Sequence, residues 1–219
     1  MEKIELNNWP RLKTYQWFKN FTDSTYGMNA RIDVTNLIKH AKQHNESFFI
    51  DMLYVVLQGL NSVEEMRMRL VDDNPVLYKT INPAFAVMTK TGTFENVRFK
   101  NCDTFADFYK TASKHIENAK KQTKIKDEKF NPDNCYDEYY ITCVPWVDFS
   151  EITHPIPDDQ SSQCVPRICW GKYTEQNGSY KLTLNITVSH IFVDGYPLAQ
   201  AINKIQELLN NPGSILKNT

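Results

Sequence analysis

The 219-residue sequence predicts a fold built from both helices and strands, either α+β or an α/β sandwich with a mixed sheet. Helix-type and strand-type hydrophobic patterns both occur, without the regular strand–helix–strand order of a parallel sheet. The 12 Phe, 11 Tyr and 4 Trp, within a hydrophobic content of 41%, can supply a sizeable core. The 7 glycines form no G-x-G-x-x-G or G-x-x-x-x-G-K-[ST] loop, which argues against the common nucleotide-binding folds. The length fits one large domain or two small ones.

The N-terminal half contains a strand followed by two helical patterns. Residues 26–32 alternate apolar and polar side chains, as expected of a half-buried strand. Asp33 is placed to cap a helix with one apolar face. Residues 48–60 are apolar on nearly all sides, which indicates a second helix buried in the core. Short strands then follow at 66–71 and 76–90, interrupted by turn signals at 72–75 and at 82–83.

The C-terminal half begins with a long amphipathic helix over 103–121, followed by a polar, irregular stretch at 123–137. Asn177-Gly178 is a strong hairpin signal. Pro197 is a suitable first residue for the last helix. The remaining strands are predicted at 139–144, 165–173 and 180–190, with a loop rich in Pro, Asp and Ser at 150–163.

Charge and composition exclude several classes of partner. With 25 basic and 26 acidic side chains, the formal charge of −1 gives no electrostatic signature for nucleic acid or for an anionic membrane. No window approaches the ~20 apolar residues that a membrane span requires, and the N-terminus lacks the apolar segment of a signal peptide. The five cysteines have no Cys-x-x-Cys spacing, so we expect free thiols in the cytoplasm.

The segment 189–195, Ser-His-Ile-Phe-Val-Asp-Gly, holds the strongest candidate for catalytic chemistry. His190 continues the alternation of the preceding strand in phase with its apolar side chains, so we expect the imidazole on the buried face. Burial disfavours the charged ring, and a neutral imidazole can accept a proton from a substrate hydroxyl. The same pattern fits a core histidine with both nitrogens hydrogen-bonded, and Asp194 also fits a cap for the following helix.

The other histidines and the cysteines give weaker signals. His40 and His44 lie one helical turn apart, which suits a metal ion, but no carboxylate or cysteine lies at the usual ligand spacing. We therefore expect both on the solvated side of their helix, and no metal site. Cys143 or Cys169 could act as a nucleophile, although buried structural thiols are far commoner.

Four segments spread along the chain form a recognisable combination. Residues 189–195 contain the H-x-x-x-D-G motif of CoA-dependent acyltransferases. Trp9-Pro10-Arg11 stands near the N-terminus, Pro-Trp-Val-Asp-Phe occupies 145–149, and Gly171-Lys172-Tyr173 precedes the hairpin. In this order and spacing, over nearly the whole chain, the combination resembles the chloramphenicol acetyltransferase family.

The resemblance implies a single domain over 1–219, folded as a two-layer sandwich with a large mixed β-sheet and helices on one side. It implies an O-acetyltransferase that moves acetyl from acetyl-CoA to a hydroxyl of chloramphenicol or a related small molecule, which inactivates the antibiotic. The two substrates meet directly, without an acyl-enzyme. It also implies a homotrimer with each site between subunits.

Residue by residue, the resemblance makes His190 the general base that deprotonates the acceptor alcohol. Asp194 matches a structural carboxylate that pairs with an arginine, here Arg11, and a bidentate pair of this kind would pin the turn that carries the imidazole. Trp146 and Tyr173 match residues that line the CoA pocket.

Three matched positions depart from the family's pattern. Thr142 stands where a serine donates to the tetrahedral oxyanion, and its hydroxyl can keep that role. Cys169 replaces a threonine that binds a water beside the intermediate. Phe18 replaces a tyrosine that contacts the acceptor. The CoA side of the site and the base are retained, whereas the acceptor side is altered.

Two other functions fit parts of the sequence. The catalytic core of a dihydrolipoyl acyltransferase belongs to the same superfamily, but no lipoyl domain or Ala/Pro-rich linker occurs. A non-catalytic binder that retains the fold is suggested by Cys169 and Phe18.

Overall fold

The computed structural model describes residues 1–122 and 136–217, so the irregular stretch predicted at 123–137 lies almost entirely outside the described residues. Ten strands are found in these residues: β1 (Glu2–Lys3), β2 (Thr25–Asp33), β3 (Met68–Val71), β4 (Asn74–Leu77), β5 (Asn82–Met88), β6 (Phe94–Arg98), β7 (Glu138–Val144), β8 (Arg167–Gly171), β9 (Thr174–Gln176) and β10 (Ser179–Ser189).

Seven of these strands form one mixed sheet, in the order β2–β10–β8–β7–β5–β6, with β9 paired to β10. The pairs β5–β7 and β7–β8 are parallel, and the other pairs are antiparallel. β1, β4 and β3 form a separate small sheet. The 11-residue strand β10 lies between β2 and β8, so its C-terminal end carries the 189–195 segment out of the middle of the sheet.

The helices are α1 (Leu12–Phe18), α2 (Thr35–His44), α3 (Phe48–Asn61), α4 (Phe105–Lys120), the short α5 (Gln160–Gln163) and α6 (Gly195–Asn210). α3 is buried along nearly its whole length and packs against α2, α4 and α6. α6 comes so close to α3 that a Cβ at Gly59 would overlap the side chain of Ile205. One hydrophobic core joins these helices to the main sheet, and the predicted fold class, a sandwich of helices and a large mixed sheet, is confirmed.

Several predicted boundaries need correction. The turn between β3 and β4 is Asp72-Asp73, where both residues have positive φ, whereas Pro75 and Pro83 lie inside strands. The carbonyl of Pro75 accepts from the N–H of Ile4, the residue after β1. Asp33 lies one residue before the N-cap of α2, yet its carboxylate accepts from the N–H of Thr35 at 2.9 Å.

Each helix in the described parts of the chain is too short or too polar to cross a bilayer.

Candidate active site

His190 lies at the C-terminal end of β10, where the chain turns toward α6. Its N–H donates to the carbonyl of Ser24 at 2.8 Å, which ties the turn to the chain entering β2. The preceding residue, Ser189, is buried, and its hydroxyl lies 2.7 Å from that of Ser24. Gln163 accepts from Ser24 through its side-chain oxygen. This network fixes the backbone that carries the imidazole.

The imidazole of His190 is held between two aromatic rings. Phe18 stacks on it with 4.0 Å between ring centroids and 10° between planes, and Tyr26 lies at 4.7 Å. The side chain is 32% exposed. The ring lies on the core-facing side, as predicted, but it is only partly buried, because it projects past Ser189, the last residue paired with β2. Nδ1 is buried, so the exposed part of the ring lies on the Nε2 side.

The buried side of the imidazole faces a carboxylate held by an arginine. Arg11 contacts both oxygens of Asp194, at 2.5 and 3.1 Å. Nδ1 of His190 lies 3.1 Å from Asp194 Oδ1, an ion-pair distance without the alignment of a hydrogen bond. Hydrogen bonds from Arg11 are the main cause that lowers the pKa of Asp194. Asp194 occupies the N-cap position of α6 but makes no side-chain cap bond.

The same geometry argues against a purely structural histidine. In a core histidine with both nitrogens hydrogen-bonded, the ring would be enclosed, yet His190 is partly exposed and Nδ1 makes no hydrogen bond within the described residues. The arrangement leaves Nε2 accessible while the carboxylate orients the other nitrogen.

A largely apolar groove of about 680 Å³ lies where α3 begins and α4 ends. Trp146 and Tyr173 both line it and are 63% and 39% exposed. Other walls come from the N-terminus of α3, the C-terminal part of α4 and the β5 end: Ser47, Phe48, Phe49, Ile50, Met88, Ile116, Glu117 and Lys120. The lining also includes two lysines, Lys120 and Lys172, and several aromatic side chains, which suits a long, largely apolar chain that ends in a polar group.

Thr142 lines a second cavity of about 500 Å³ next to this groove. The two cavities share four lining residues, Ala86, Met88, Cys143 and Trp146. Trp146 therefore borders both the groove and the space in front of the Thr142 hydroxyl.

Thr142 and His190 lie far apart within one chain. Thr142 is in register with Cys169, and Cys169 with Asn185, so these three side chains share one face of the sheet. His190 packs on Tyr26, which is in register with the buried Val188 on the opposite, core-facing side. The five residues from Asn185 to His190 add roughly 16 Å along the strand. One chain alone does not bring the two predicted catalytic groups together.

Phe18 and Cys169 were both predicted on the acceptor side of the site. Phe18, expected to contact the acceptor, covers one face of the His190 ring. Cys169, also expected on the acceptor side, is fully buried, and burial raises the pKa of its thiol to about 11. Cys143 is a poor nucleophile for the same reason, since burial raises the pKa of its thiol to about 12.

Sequence reasoning missed Tyr26 and Asn185. Tyr26 packs on the base, and its hydroxyl donates to the carbonyl of Val193. Asn185 is buried, bonds to Asn29, and lies 2.9 Å from His154 Nε2 beside a cavity of about 860 Å³. Asn185 is a polar residue on the strand face that the alternation assigns to solvent, and this was its only signal in the sequence. No sequence signal marked Tyr26.

The histidines of α2 also differ from expectation. His40 is mostly buried, with a side chain 11% exposed, and its Nε2 lies 3.4 Å from Glu46 Oε2. The expectation that both His40 and His44 face solvent without a carboxylate partner was therefore wrong.

The comparisons with known proteins agree with one another. The family model "Chloramphenicol acetyltransferase" matches residues 1–206. Chloramphenicol acetyltransferase 3 of Escherichia coli is 26% identical over 210 residues, which is 95% of this chain and 97% of the relative. A chloramphenicol acetyltransferase of Clostridium butyricum is 26% identical over 207 residues, 94% of this chain and 93% of the relative.

Solved structures extend the comparison. A chloramphenicol acetyltransferase structure superposes with a TM-score of 0.86 at 25% identity, covering 95% of this chain and 99% of that chain. A dihydrolipoamide acetyltransferase of Azotobacter vinelandii has a TM-score of 0.67 at 14% identity, covering 99% and 94%, a likeness in fold alone. The fold and these relatives define an acyltransferase. Within that class, the chain belongs to the chloramphenicol acetyltransferase family.

Proposed function

We propose that this protein is an O-acetyltransferase that moves acetyl from acetyl-CoA to a hydroxyl of chloramphenicol or a related small alcohol, and so inactivates the antibiotic. The observation that carries the proposal is the His190 imidazole, fixed on its Nδ1 side by Asp194 and Arg11 and accessible on its Nε2 side. Membership of the family supports the same chemistry.

In the first step, Nε2 of His190 accepts the proton of the acceptor hydroxyl as that oxygen attacks the thioester carbonyl. The resulting imidazolium lies 3.1 Å from the Asp194 carboxylate, which stabilises its positive charge. Phe18 and Tyr26 hold the ring plane, so little rotational freedom is lost at this step.

In the second step, the carbonyl oxygen becomes an oxyanion, and the Thr142 hydroxyl donates a hydrogen bond to it. Collapse of the tetrahedral species breaks the carbon–sulfur bond, and the proton held on His190 passes to the departing CoA thiolate. The products are the acetyl ester and CoA, and the imidazole returns to its neutral form.

The groove beside Trp146 and Tyr173 fits acetyl-CoA. Its 680 Å³ volume and exposed aromatic faces suit the pantetheine chain and the adenine ring. Because Trp146 also borders the Thr142 cavity, a thioester that reaches the inner end of the groove lies next to the proposed oxyanion donor.

Two copies of the chain are needed to complete this site. Thr142 and His190 lie on opposite faces of one sheet, so the base must come from one copy and the oxyanion donor from another. We propose the homotrimer with sites between subunits that the family resemblance implies, because a closed ring of identical interfaces gives every copy one such site.

The acceptor side of the site departs from the family's pattern at two positions. Phe18 brings a ring but no hydroxyl, and Cys169 is buried, so the acceptor loses two polar partners that the family's pattern provides. We propose a small alcohol with an aromatic or apolar body, of which chloramphenicol is the first to test.

We also propose that the chain forms a single domain and works in the cytoplasm. The continuous core from α1 to α6 supports the first statement. Free cysteines at 102, 143, 164 and 169 support the second, since reducing compartments keep thiols unpaired.

The test is acetylation of chloramphenicol by the purified protein, followed as thiol release from acetyl-CoA. We expect turnover in the wild type and a loss of roughly 10²–10⁴-fold or more in His190→Ala. His115→Ala, an exposed histidine of α4, is the matched control and retains full activity. An active His190→Ala protein would exclude the assigned base. Formation of CoA and S-acetyl-dihydrolipoamide, separated by chromatography, with no reaction on chloramphenicol would identify the dihydrolipoyl alternative. Absence of thiol release with a panel of alcohols would favour a non-catalytic binder.

A further inference from the structure

A second cluster of chemically reactive side chains lies at the corner between α2 and α3, outside the proposed acetyl-transfer chemistry. It consists of His40 and His44, one turn apart on α2, and Glu46, which follows the helix end. One potential ligand atom from each residue lies within 4.8 Å of the other two.

The backbone at the end of α2 explains why Glu46 reaches this cluster. Asn45 adopts the left-handed conformation, with φ of 54°, and the N–H of Glu46 donates back to the carbonyl of Ala41 at 2.9 Å. This helix-ending motif reverses the chain, so Glu46 lies over the last turn instead of continuing away from it. A residue only six positions after His40 thereby meets it from the other side.

The distances match a coordination polyhedron. Nε2 of His40 lies 3.4 Å from Oε2 of Glu46. Two ligands bound to Zn²⁺ at about 2.0–2.1 Å in a tetrahedron lie about 3.3–3.4 Å apart. The imidazoles of His40 and His44 pack against each other with 4.1 Å between ring centroids, and one ligand atom of each lies within 4.8 Å of the other.

The imidazole tautomers also suit a metal ion. Nδ1 of His44 lies 2.9 Å from the carbonyl oxygen of His40, and since a carbonyl only accepts, that nitrogen is the donor. The lone pair of a neutral His44 ring is therefore on Nε2. Metal-bound histidines commonly donate their other ring N–H to a backbone carbonyl in this way. Nε2 of His40 is buried and makes no hydrogen bond within the described parts of the chain.

Burial separates this cluster from an ordinary surface pair. The side chains of His40 and Glu46 are 11% and 5% exposed, whereas His44 is exposed. A metal ion bound to His40 would supply a positive charge opposite the Glu46 carboxylate, and exposed His44 provides the path by which it enters.

We propose that His40, His44 and Glu46 form a binding site for a divalent transition-metal ion, with Zn²⁺ as the ion that best fits two imidazoles and one carboxylate. Three protein ligands leave the fourth tetrahedral position to water. The ion would link the last turn of α2 to the segment that leads into α3.

This link has a structural consequence for the groove described above. α3 begins at Phe48, two residues after Glu46, and the Phe48 ring contacts Tyr173 at 5.2 Å between centroids. Ser47 and Phe48 line the groove. Metal binding would therefore hold one wall of the groove in place without contributing to the acetyl-transfer chemistry.

The test is a Zn²⁺ titration of the purified, chelator-treated full-length protein, in competition with a chromogenic chelator. We expect one high-affinity ion per chain and an increase in the melting temperature on binding. His44→Ala should weaken Zn²⁺ binding by at least about 100-fold, and Glu46→Gln by at least about 10-fold. Loss of a residue that only hydrogen-bonds to a metal ligand already costs about 10–100-fold in metal affinity. His115→Ala, which keeps the number of histidines equal to that of His44→Ala, should bind as the wild type does.

His44 is exposed, so His44→Ala should fold normally, and far-UV circular dichroism checks this. Equal Zn²⁺ affinity in the wild type and His44→Ala would overturn the site, as would loss of binding in His115→Ala instead. Because the readout is metal binding, this result is independent of whether chloramphenicol is the acceptor.

Discussion

At the residue scale, Asp194 contacts both the arginine that holds the turn and the imidazole of the proposed base. Its carboxylate contacts the Arg11 guanidinium at two points and faces Nδ1 of the base. One carboxylate therefore fixes the turn after β10 and also orients the imidazole. The pair is partly exposed, so salt and solvent moderate its contribution to stability.

We expect Asp194→Asn to reduce activity, and to reduce the free energy of unfolding at neutral pH more than at acid pH. The carboxyl has a lowered pKa in the folded chain, relative to 3.8 for the ordinary group. Its stabilising contribution is therefore complete above about pH 4, and it is lost as the pH falls through the lowered folded value. Urea unfolding at a series of pH values should show the wild type more stable than Asp194→Asn at pH 7, with the difference shrinking below pH 4. A constant difference down to pH 2 would contradict the pairing.

At the element scale, the segment 145–149 that carries Trp146 depends on the absence of a side chain in β8. A Cβ at Gly171 would lie 2.9 Å from the carbonyl oxygen of Val147 and 3.0 Å from the Phe149 ring. The N–H of Lys172 donates to the same Val147 oxygen at 2.9 Å. The segment is thus seated directly on the end of the strand.

We expect Gly171→Ala to displace this segment and to weaken acetyl-CoA binding, because Trp146 moves with it. Crowding of this kind costs roughly 1–3 kcal/mol of stability. Gly213→Ala is the matched control, since no atom lies within 4 Å of a Cβ built there and its φ is not positive. Acetyl-CoA affinity and thermal unfolding should change in Gly171→Ala only. Unchanged affinity would show that the segment does not form the groove wall.

Individual strands and turns show how far the sequence could predict the fold. The alternation of Leu182, Leu184 and Ile186 predicted β10, and the Asn177-Gly178 turn forms as predicted with φ of 52° and 79°. β6 was missed because only Val97 of its five residues is buried, which leaves no periodic pattern to detect.

Some contacts of the candidate site could be predicted from the sequence, and others could not. His190 and Asp194 lie four residues apart around one turn, so a sequence motif could predict their proximity. The contact between His40 and Glu46 depends on the left-handed conformation of Asn45, which no hydrophobic pattern reports. The separation of Thr142 from His190 depends on strand register, which forms only when distant segments pair.

At the scale of the whole molecule, the placement of Thr142 and His190 on opposite sheet faces predicts complementation between inactive variants. Thr142→Ala should lose roughly 10²–10³-fold in rate with acetyl-CoA affinity unchanged. In trimers reassembled from equal amounts of His190→Ala and Thr142→Ala, roughly one quarter of the composite sites would receive both intact residues. Co-refolded mixtures should therefore recover about a quarter of wild-type turnover.

Two controls make this experiment decisive. The same two proteins mixed without unfolding should show less activity than the co-refolded mixture, because complementation requires copies to exchange between assemblies. A double variant carrying both changes should not recover after refolding. If co-refolding restores no activity while a tagged His190→Ala copy captures untagged Thr142→Ala copies on an affinity column, both groups must act within one chain.

The placement of His190 and Thr142 on opposite sheet faces also has a genetic consequence. If the proposed composite sites form, a cell that carries one intact and one damaged copy of this gene would assemble mixed oligomers. A change at position 190 would then disable only the sites to which the damaged copy contributes that residue. Two differently inactivated alleles could restore each other in the same cell, so acetyl transfer could persist where neither gene alone encodes a working enzyme.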